Sequence, residues 1–315
     1  MNILYVDANG TISDNYMYKY YGDLFRELKE LSSIYVYQGN PSSWPELLSK
    51  SSVDFDAIIF GLGYFAQSDA SFFGELRGLK EVDPVKVSMF HKPQNLFKEK
   101  VDFCNKNEID IFLDYFDNGK HSTSSKVVKS WFTATPKHFK PRDIPVKYDI
   151  GFQGALHGKG KIKGPAQDLR SRIGELLHAS EKYSTYWKST HDLSYRIGST
   201  DEYASKMNEC KMWLSTSGEG NNGSPRYFEI ALSKTLLLCN DMPQVNGDIF
   251  VDGETCVVFK NDMSDFEEKV DYYLNNEEER NRIIENAYDL VYNNYTWKHM
   301  AQSLISEIES IKKER

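Results

Sequence analysis

The chain has 315 residues, long for a single core, and this length predicts two domains of roughly 150 residues each. A formal net charge of −8 argues against a general nucleic-acid binder, which needs a basic surface to neutralise phosphates. Hydrophobic residues at 40% can build a sizeable core, yet no apolar run approaches the roughly 18 residues of a membrane span.

In chain order, short apolar runs alternate with longer amphipathic ones. "NILYVDA" (2–8) reads as a first strand and not as a signal peptide, because no basic segment precedes it. "YYGDLFRELKEL" (20–31) places Leu24, Phe25, Leu28 and Leu31 at helical spacing. Strands are expected at "SIYVYQ" (33–38), "DAIIFGLG" (56–63), "VKVSMFH" (85–91), "DIFLDYF" (110–116) and "SWFTATP" (130–136), with a helix over "NLFKEKVDFCNKN" (95–107). Pro136, Pro141 and Pro145 then interrupt the pattern and predict a linker over about 137–147.

After the prolines the alternation restarts. "YDIGFQG" (148–154), "KYSTYWK" (182–188), "LSYRIGS" (193–199), "KMWLSTS" (211–217), "TLLLCN" (235–240) and "TCVVF" (255–259) read as strands. Helices are expected over 166–180, 200–210, 263–275 and 277–294, and a last one over 296–312. Two successive α/β units predict two Rossmann-like domains, each a parallel sheet covered by helices, facing one cleft. Cys104, Cys210, Cys239 and Cys256 form no CxxC and read as buried free thiols of a reducing compartment, so a soluble, cytoplasmic protein is expected.

Several motifs were weighed for chemistry. "GLGYFA" holds Gly61, Gly63 and Ala66 in a G-x-G-x-x-A pattern, which reads either as a dinucleotide fingerprint or as a tight β–α turn needing positive φ. The fingerprint normally follows the first strand of its unit, and here it does not. Asp54 and Asp56 form a DxD before a strand, the wrong end of a parallel sheet for a metal–diphosphate site. There is no HExxH and no P-loop, so no metal is expected.

The strongest stretch is "GEGNNGSPRYFEIALSKT" (218–235). Ser224 suits an N-cap, and Pro225 suits the first helical position. Glycines such as Gly218 and Gly223 let the backbone approach a ligand, and the helix N-terminus offers unpaired N–H groups to an anion. Arg226 adds a planar fork suited to phosphate, and Glu229 lies one turn deeper on the same face, where a carboxylate could accept both hydroxyls of a ribose. The bland alternative is a capped helix with an exposed Arg–Glu pair.

These residues resemble the C-terminal half of GT-B glycosyltransferases, and most of all the group of CgeB-like spore maturation proteins. That group shows an R-x-F-E-A-x-A-C-G stretch, a "DG.E" turn and a "YTW" ending. Here the counterparts are "RYFEIALSK", "DIFVDGETCVVF" and "YTWKHM", and the likeness spans about 148–310. Leu232 to Thr235 replace the usual small residues, and Glu219 and Glu229 stand ten positions apart, wider than in retaining relatives. The first half matches only in architecture.

The resemblance implies GT-B architecture: an acceptor domain over 1–140, a nucleotide-sugar domain over 148–295, and a C-terminal helix over 296–315 crossing back to the first. It implies transfer of a sugar from a nucleotide sugar, preferably a UDP-sugar, to a glycan or other hydroxyl acceptor, with no metal and no cofactor. Arg226, with Ser217, Ser224, Pro225 and Tyr227 around it, would meet the diphosphate, and Glu229 the ribose. Gly154 would lie on the facing loop, and a lysine within 158–163 would add charge. Arg196, Ile197 and Tyr203 would lie beside the nucleobase. If the enzyme inverts, a general base belongs at the C-terminal ends of the first domain's strands. Asp69 ranks first, because a carboxylate beside a glycine-lined, aromatic loop can be desolvated and made more basic; His91 and Asp14 follow. The rival readings are a nucleotide-sugar-binding protein without turnover and an NAD-dependent enzyme built on 61–66.

Overall fold

The computed structural model describes residues 1–7, 19–66, 68–90, 95–115, 123–156, 166–190, 199–217, 224–240 and 247–315; for 19–21, 166–168 and 190 it describes the backbone alone. The chain divides into two compact units, Met1–Trp131 with Trp297–Arg315, and Phe132–Thr296. Pro136, Pro141 and Pro145 fall inside the second unit.

The first unit alternates β1 (Asn2–Asp7), α1 (Lys19–Leu31), β2 (Ser33–Gln38), α2 (Trp44–Ser49), β3 (Ala57–Phe60), α3 (Leu62–Phe65), β4 (Val85–Phe90), α4 (Phe97–Lys106), β5 (Ile111–Asp114) and β6 (Lys126–Lys129). The six strands form one sheet in the order β2-β1-β3-β4-β5-β6, every pair parallel. β3, β4 and β5 are buried along their whole length, as inner strands covered on both faces must be. Trp44, Phe60, Tyr64, Phe65, Phe73 and Phe103 share one core.

The second unit runs β7 (Tyr148–Ala155), α5 (Ala166–Ala179), β8 (Thr185–Thr190), α6 (Thr200–Asn208), β9 (Cys210–Ser215), α7 (Pro225–Leu232), β10 (Leu236–Asn240), β11 (Val257–Phe259), α8 (Phe266–Asn275) and α9 (Glu277–Asn294). Its sheet has the order β11-β10-β9-β7-β8, again wholly parallel. Ile150, Phe152, Ile173, Met212, Leu214, Leu238 and Phe259 lie in its core. Gly151 is required there: a Cβ would stand 2.3 Å from Cε3 of Trp213 and 2.6 Å from Sγ of Cys210. The final helix, α10 (Trp297–Glu314), belongs to the first unit and packs on α1, with ion pairs from Lys312 to Asp56 and from Arg315 to Asp110.

Two expectations need correction, and a third falls largely outside the described residues. The strand expected over 130–136 is a coil that makes one isolated bridge, Ala134 with Thr296, and the strand in that region is β6, whose KVVK sequence is largely exposed. Gly61 does not need positive φ. Its φ is −69°, and it must be glycine because a Cβ would stand 2.2 Å from the Tyr5 hydroxyl oxygen. The helix that follows it is only four residues long and fully buried. The strand expected over 193–199 lies outside the described residues but for Ser199, which caps α6 by accepting from the Glu202 N–H at 3.1 Å.

All four cysteines are buried free thiols. No helix among the described residues is long and apolar enough to cross a membrane.

Candidate functional site

Parallel α/β sheets bind ligands outside the carboxyl ends of their strands, at the point where strand order reverses. In the second unit that point lies between β7 and β9. The two strands pair from Tyr148↔Cys210 to Gly151↔Trp213, while β7 stays paired with β8 as far as Ala155↔Thr190. The upper ends of β7 and β9 therefore stand beside one another beyond their shared ladder, at the site's position in the fold.

α7 starts there. Ser224, in an extended conformation, accepts the Arg226 N–H at 3.3 Å, and Pro225 occupies the first turn, where its missing N–H costs nothing. The Arg226 guanidinium is oriented by Tyr203 and lies beside Gly154. Its Nε donates to the Tyr203 hydroxyl at 3.0 Å, and its Nη2 lies 3.5 Å from where a Cβ on Gly154 would stand. That is ordinary contact, so the guanidinium lies beside the end of β7 without itself requiring glycine there; the tighter neighbour of such a Cβ is Cζ of Phe152, at 3.1 Å. Glu229, one turn deeper on α7, is 0% exposed, so the pair is not a solvated Arg–Glu face.

Tyr203 is placed differently from the expected ring beside a nucleobase. It is 2% exposed, and its ring packs edge-on against Trp213 and Phe139, so its hydroxyl, by orienting Arg226, is its contribution to the site. Ser217 anchors the segment after β9. Its N–H donates to Oδ1 of Asn240 at 2.8 Å, and the Asn240 amide donates to Oγ of Ser217 and to Oδ1 of Asn261. The ends of β9, β10 and β11 are tied together by this network. Tyr227 is fully buried against Phe250, and its hydroxyl has no hydrogen-bond partner among the described residues.

The sequence reading missed Arg170 on α5. Its Nε donates to Oγ1 of Thr216 at 2.7 Å and its Nη1 to the Ala155 carbonyl at 3.0 Å, while the guanidinium carbon lies 5.9 Å from the centre of the Phe152 ring. Desolvation, and next the neighbouring charge of Arg226, lower its pKa to about 10. Two cations thus adjoin at the mouth of one sheet, beside a helix N-terminus whose dipole end is also positive. The arrangement suits an anion carrying more than one negative charge. A signal for Arg170 existed: it borders the buried stripe Leu169, Ile173 and Leu177, where a charge needs a purpose.

Asp69 contradicts the desolvation expected of it. It is exposed and caps the short 3-10 turn Ala70–Phe73, accepting from the N–H and the hydroxyl of Ser71 at 2.9 and 2.8 Å. Those bonds lower its pKa, the opposite of a tuned base. Asp14, His91, Arg196, Ile197, Gly218, Gly223 and the lysines of 158–163 lie outside the described residues. Among the described residues no group of His, Cys, Asp or Glu side chains could hold a metal ion.

A family model described as glycosyl transferase-like matches residues 155–306, a span that contains α5, α6, α7 and the hydrogen bonds of Arg170 and Arg226 given above. This match indicates a glycosyltransferase. Across the chain, the fold of this glycosyltransferase is similar to sucrose-phosphate synthase from Thermosynechococcus elongatus, with TM-score 0.67 and 8% identity over 100% of both chains. It is similar to a glycosyltransferase from Rickettsia africae, with TM-score 0.65 and 13% identity over 100% of this chain and 99% of that one. It is also similar to HepE from Anabaena, solved in complex with UDP, with TM-score 0.64 and 11% identity over 98% and 100%. The two parallel α/β sheets are those of the GT-B fold. No curated protein matches the sequence.

Proposed function

We propose that this glycosyltransferase moves a sugar from a nucleoside-diphosphate sugar, with UDP as the preferred carrier, to a hydroxyl of a glycan or related acceptor. The carrying observation is Arg226 at the start of α7, held by Tyr203 against Gly154 at the strand-order reversal, with Glu229 buried one turn deeper. HepE, of similar fold, was solved with UDP and with UDP-glucose, which supports uridine as the base.

In this reading the diphosphate sits on the α7 N-terminus and Arg226, and Glu229 accepts hydrogen bonds from the ribose diol. As the bond between the anomeric carbon and the diphosphate oxygen breaks, negative charge gathers on that oxygen, where fixed N–H groups and guanidinium groups stabilise it without reorganising. The acceptor oxygen forms the new bond to the anomeric carbon, and its proton passes to a base supplied by the first unit. Asp69 is offered for that task as an ordinary exposed carboxylate, with His91 and Asp14 as the other candidates. Asp69→Asn keeps a side chain able to cap the turn, so transfer should be lost while fold and donor affinity persist; retained transfer assigns the proton elsewhere.

The dinucleotide alternative draws little from the structure, because the four-residue, fully buried α3 gives 61–66 no exposed helix start for a diphosphate. Calorimetry with UDP, GDP and NADH separates the readings. UDP should bind with NADH silent; tight NADH binding without nucleoside-diphosphate binding would overturn the proposal. The CgeB-like affinity rests on the sequence likeness of 148–310.

A further inference from the structure

We propose that Arg170 is the second cation of the diphosphate seat and the residue that fastens its two walls together. This rests on the nucleotide reading above, which concerns Arg226 and Glu229; Arg170 stands on a different helix and carries a separate argument.

The first observation is geometric. The β7–β9 ladder stops at Gly151↔Trp213, and the ends above it approach the site without further ladder pairs. Arg170 bridges those ends, with Nη1 on the carbonyl of Ala155, the last residue of β7, and Nε on the hydroxyl of Thr216, the first residue beyond β9. Its guanidinium is a planar fork, so the bonds from Nε and Nη1 fix its plane and the direction in which Nη2 points. Nη2 makes no protein hydrogen bond among the described residues.

The second observation is electrostatic. Among the described residues the charged and titratable groups that act on Arg170 are Arg226, Tyr227 and Tyr203, and no carboxylate is among them. A partly buried guanidinium next to another, with no acid to offset it, is costly on its own and is offset when a ligand brings negative charge. A third observation points the same way. The buried Tyr227 hydroxyl lacks a hydrogen-bond partner among the described residues, and both arginines act on it. An anion with several oxygens offsets both guanidinium groups, whose field also falls on Tyr227. A diphosphate matches in charge and in number of acceptors, whereas a carboxylate offers too few.

Calorimetry with UDP and with inorganic pyrophosphate at two ionic strengths tests this on the full chain. The wild type should bind both, more weakly at higher salt because screening acts on the charges. Arg170→Gln should weaken both at least tenfold and flatten the salt dependence, a change that a purely structural role would not produce. Arg170→Lys should recover pyrophosphate affinity but not turnover of the donor, because the charge returns without the fork. Arg172→Gln, which removes a charge two residues away on an exposed side chain, should change neither affinity. A folded Arg170→Gln that binds pyrophosphate within twofold of wild type, with the same salt dependence, overturns the proposal. If Arg170→Gln does not fold, Thr216→Val removes the Nε acceptor without altering charge; unchanged affinity and turnover there overturn the fastening role. A wild type that binds neither UDP nor pyrophosphate overturns the nucleotide reading itself, and is told apart because it fails before any variant is compared.

Discussion

The two sheets share a strand order and differ in what stands at its reversal. Counted within each unit, both run second, first, third, fourth, fifth, and the first unit adds β6 at its far edge. In the first unit the described residues beside the reversal are mainly aromatic, apart from the buried Asp7 that ends β1. Gly61 presses under Tyr5, Phe60 and Phe65 pack edge-on against Phe103, and Tyr64 packs on the same ring at a tilt. In the second unit the same topological place carries Arg170, Thr216, Arg226 and the Ser217–Asn240 pair. One topology therefore supplies two crevices by position, and side chains decide whether rings or an anion belong there.

The sharpest way to break this contrast is Arg226→Lys. The charge survives, but the planar fork that Tyr203 orients does not, so turnover should fall about 10²-fold with donor saturating. Wild-type kinetics in that variant would reduce the second crevice to a solvated surface. Next in size is Glu229→Gln, which conserves volume at a fully buried position. Loss of a charge-assisted bond to the ribose should weaken UDP binding by about 1.5–3 kcal/mol while pyrophosphate, which has no ribose, binds as before. Equal losses for the two ligands would move Glu229 from ribose contact to general support of α7.

Two glycines sharpen the comparison by stability. Gly61→Ala places a Cβ 2.2 Å from the Tyr5 hydroxyl oxygen, and Gly151→Ala places one 2.3 Å from Trp213. Overpacking of this kind costs about 1–3 kcal/mol, so both variants should melt earlier than wild type. They should part when UDP is added. UDP should raise the melting temperature of Gly61→Ala by the wild-type increment, because its crevice is not the nucleotide's. Gly151 lies where the β7–β9 ladder ends, so its variant should gain less from UDP. Equal gains would show that the ladder end does not shape the seat.

How far the sequence disclosed these features depended on whether the signal was local. α9 was legible to its ends, because three glutamates open it and its helical pattern is unbroken. The start of α7 was legible because Ser-Pro-Arg punctuates it. β6 was not, since KVVK buries little and alternates weakly, while Trp131 and Phe132 nearby drew the strand assignment to a coil. Arg170 was illegible for a different reason. Its role exists only once β7 and β9 take their register and bring Ala155 and Thr216 within one fork's span. Asp69 misled because its loop looked apolar, whereas the Asp-Ala-Ser spacing forms a local turn that keeps the carboxylate wet and acidic.

The smallest expected effect concerns the opposite, N-terminal edges, where the two sheets are alike. Asp149 at the start of β7 accepts the Ser184 N–H at 3.0 Å, the Ser184 hydroxyl at 2.8 Å and Lys211 at 2.8 Å. Asp56, just before β3, accepts the Asn2 N–H at 2.6 Å and pairs with Lys312. For Asp149, partial burial pushes the pKa up, but the Lys211 and Ser184 bonds outweigh it, and the net shift is below the ordinary 3.8. For Asp56, burial likewise opposes and the bonds from Lys312 and Asn2 prevail. A carboxylate with a lowered folded pKa binds its proton more weakly folded than unfolded. Its contribution is therefore present above the unfolded pKa and disappears as pH falls through the folded one. Acid unfolding followed by circular dichroism should show both edges weakening below about pH 4. Asp149→Asn and Asp56→Asn should each lower stability at pH 7 modestly and make the acid limb shallower. Because the two edges use the same device, the variants should behave alike; an acid limb that only one of them flattens would show that the likeness of the two sheets ends at their topology.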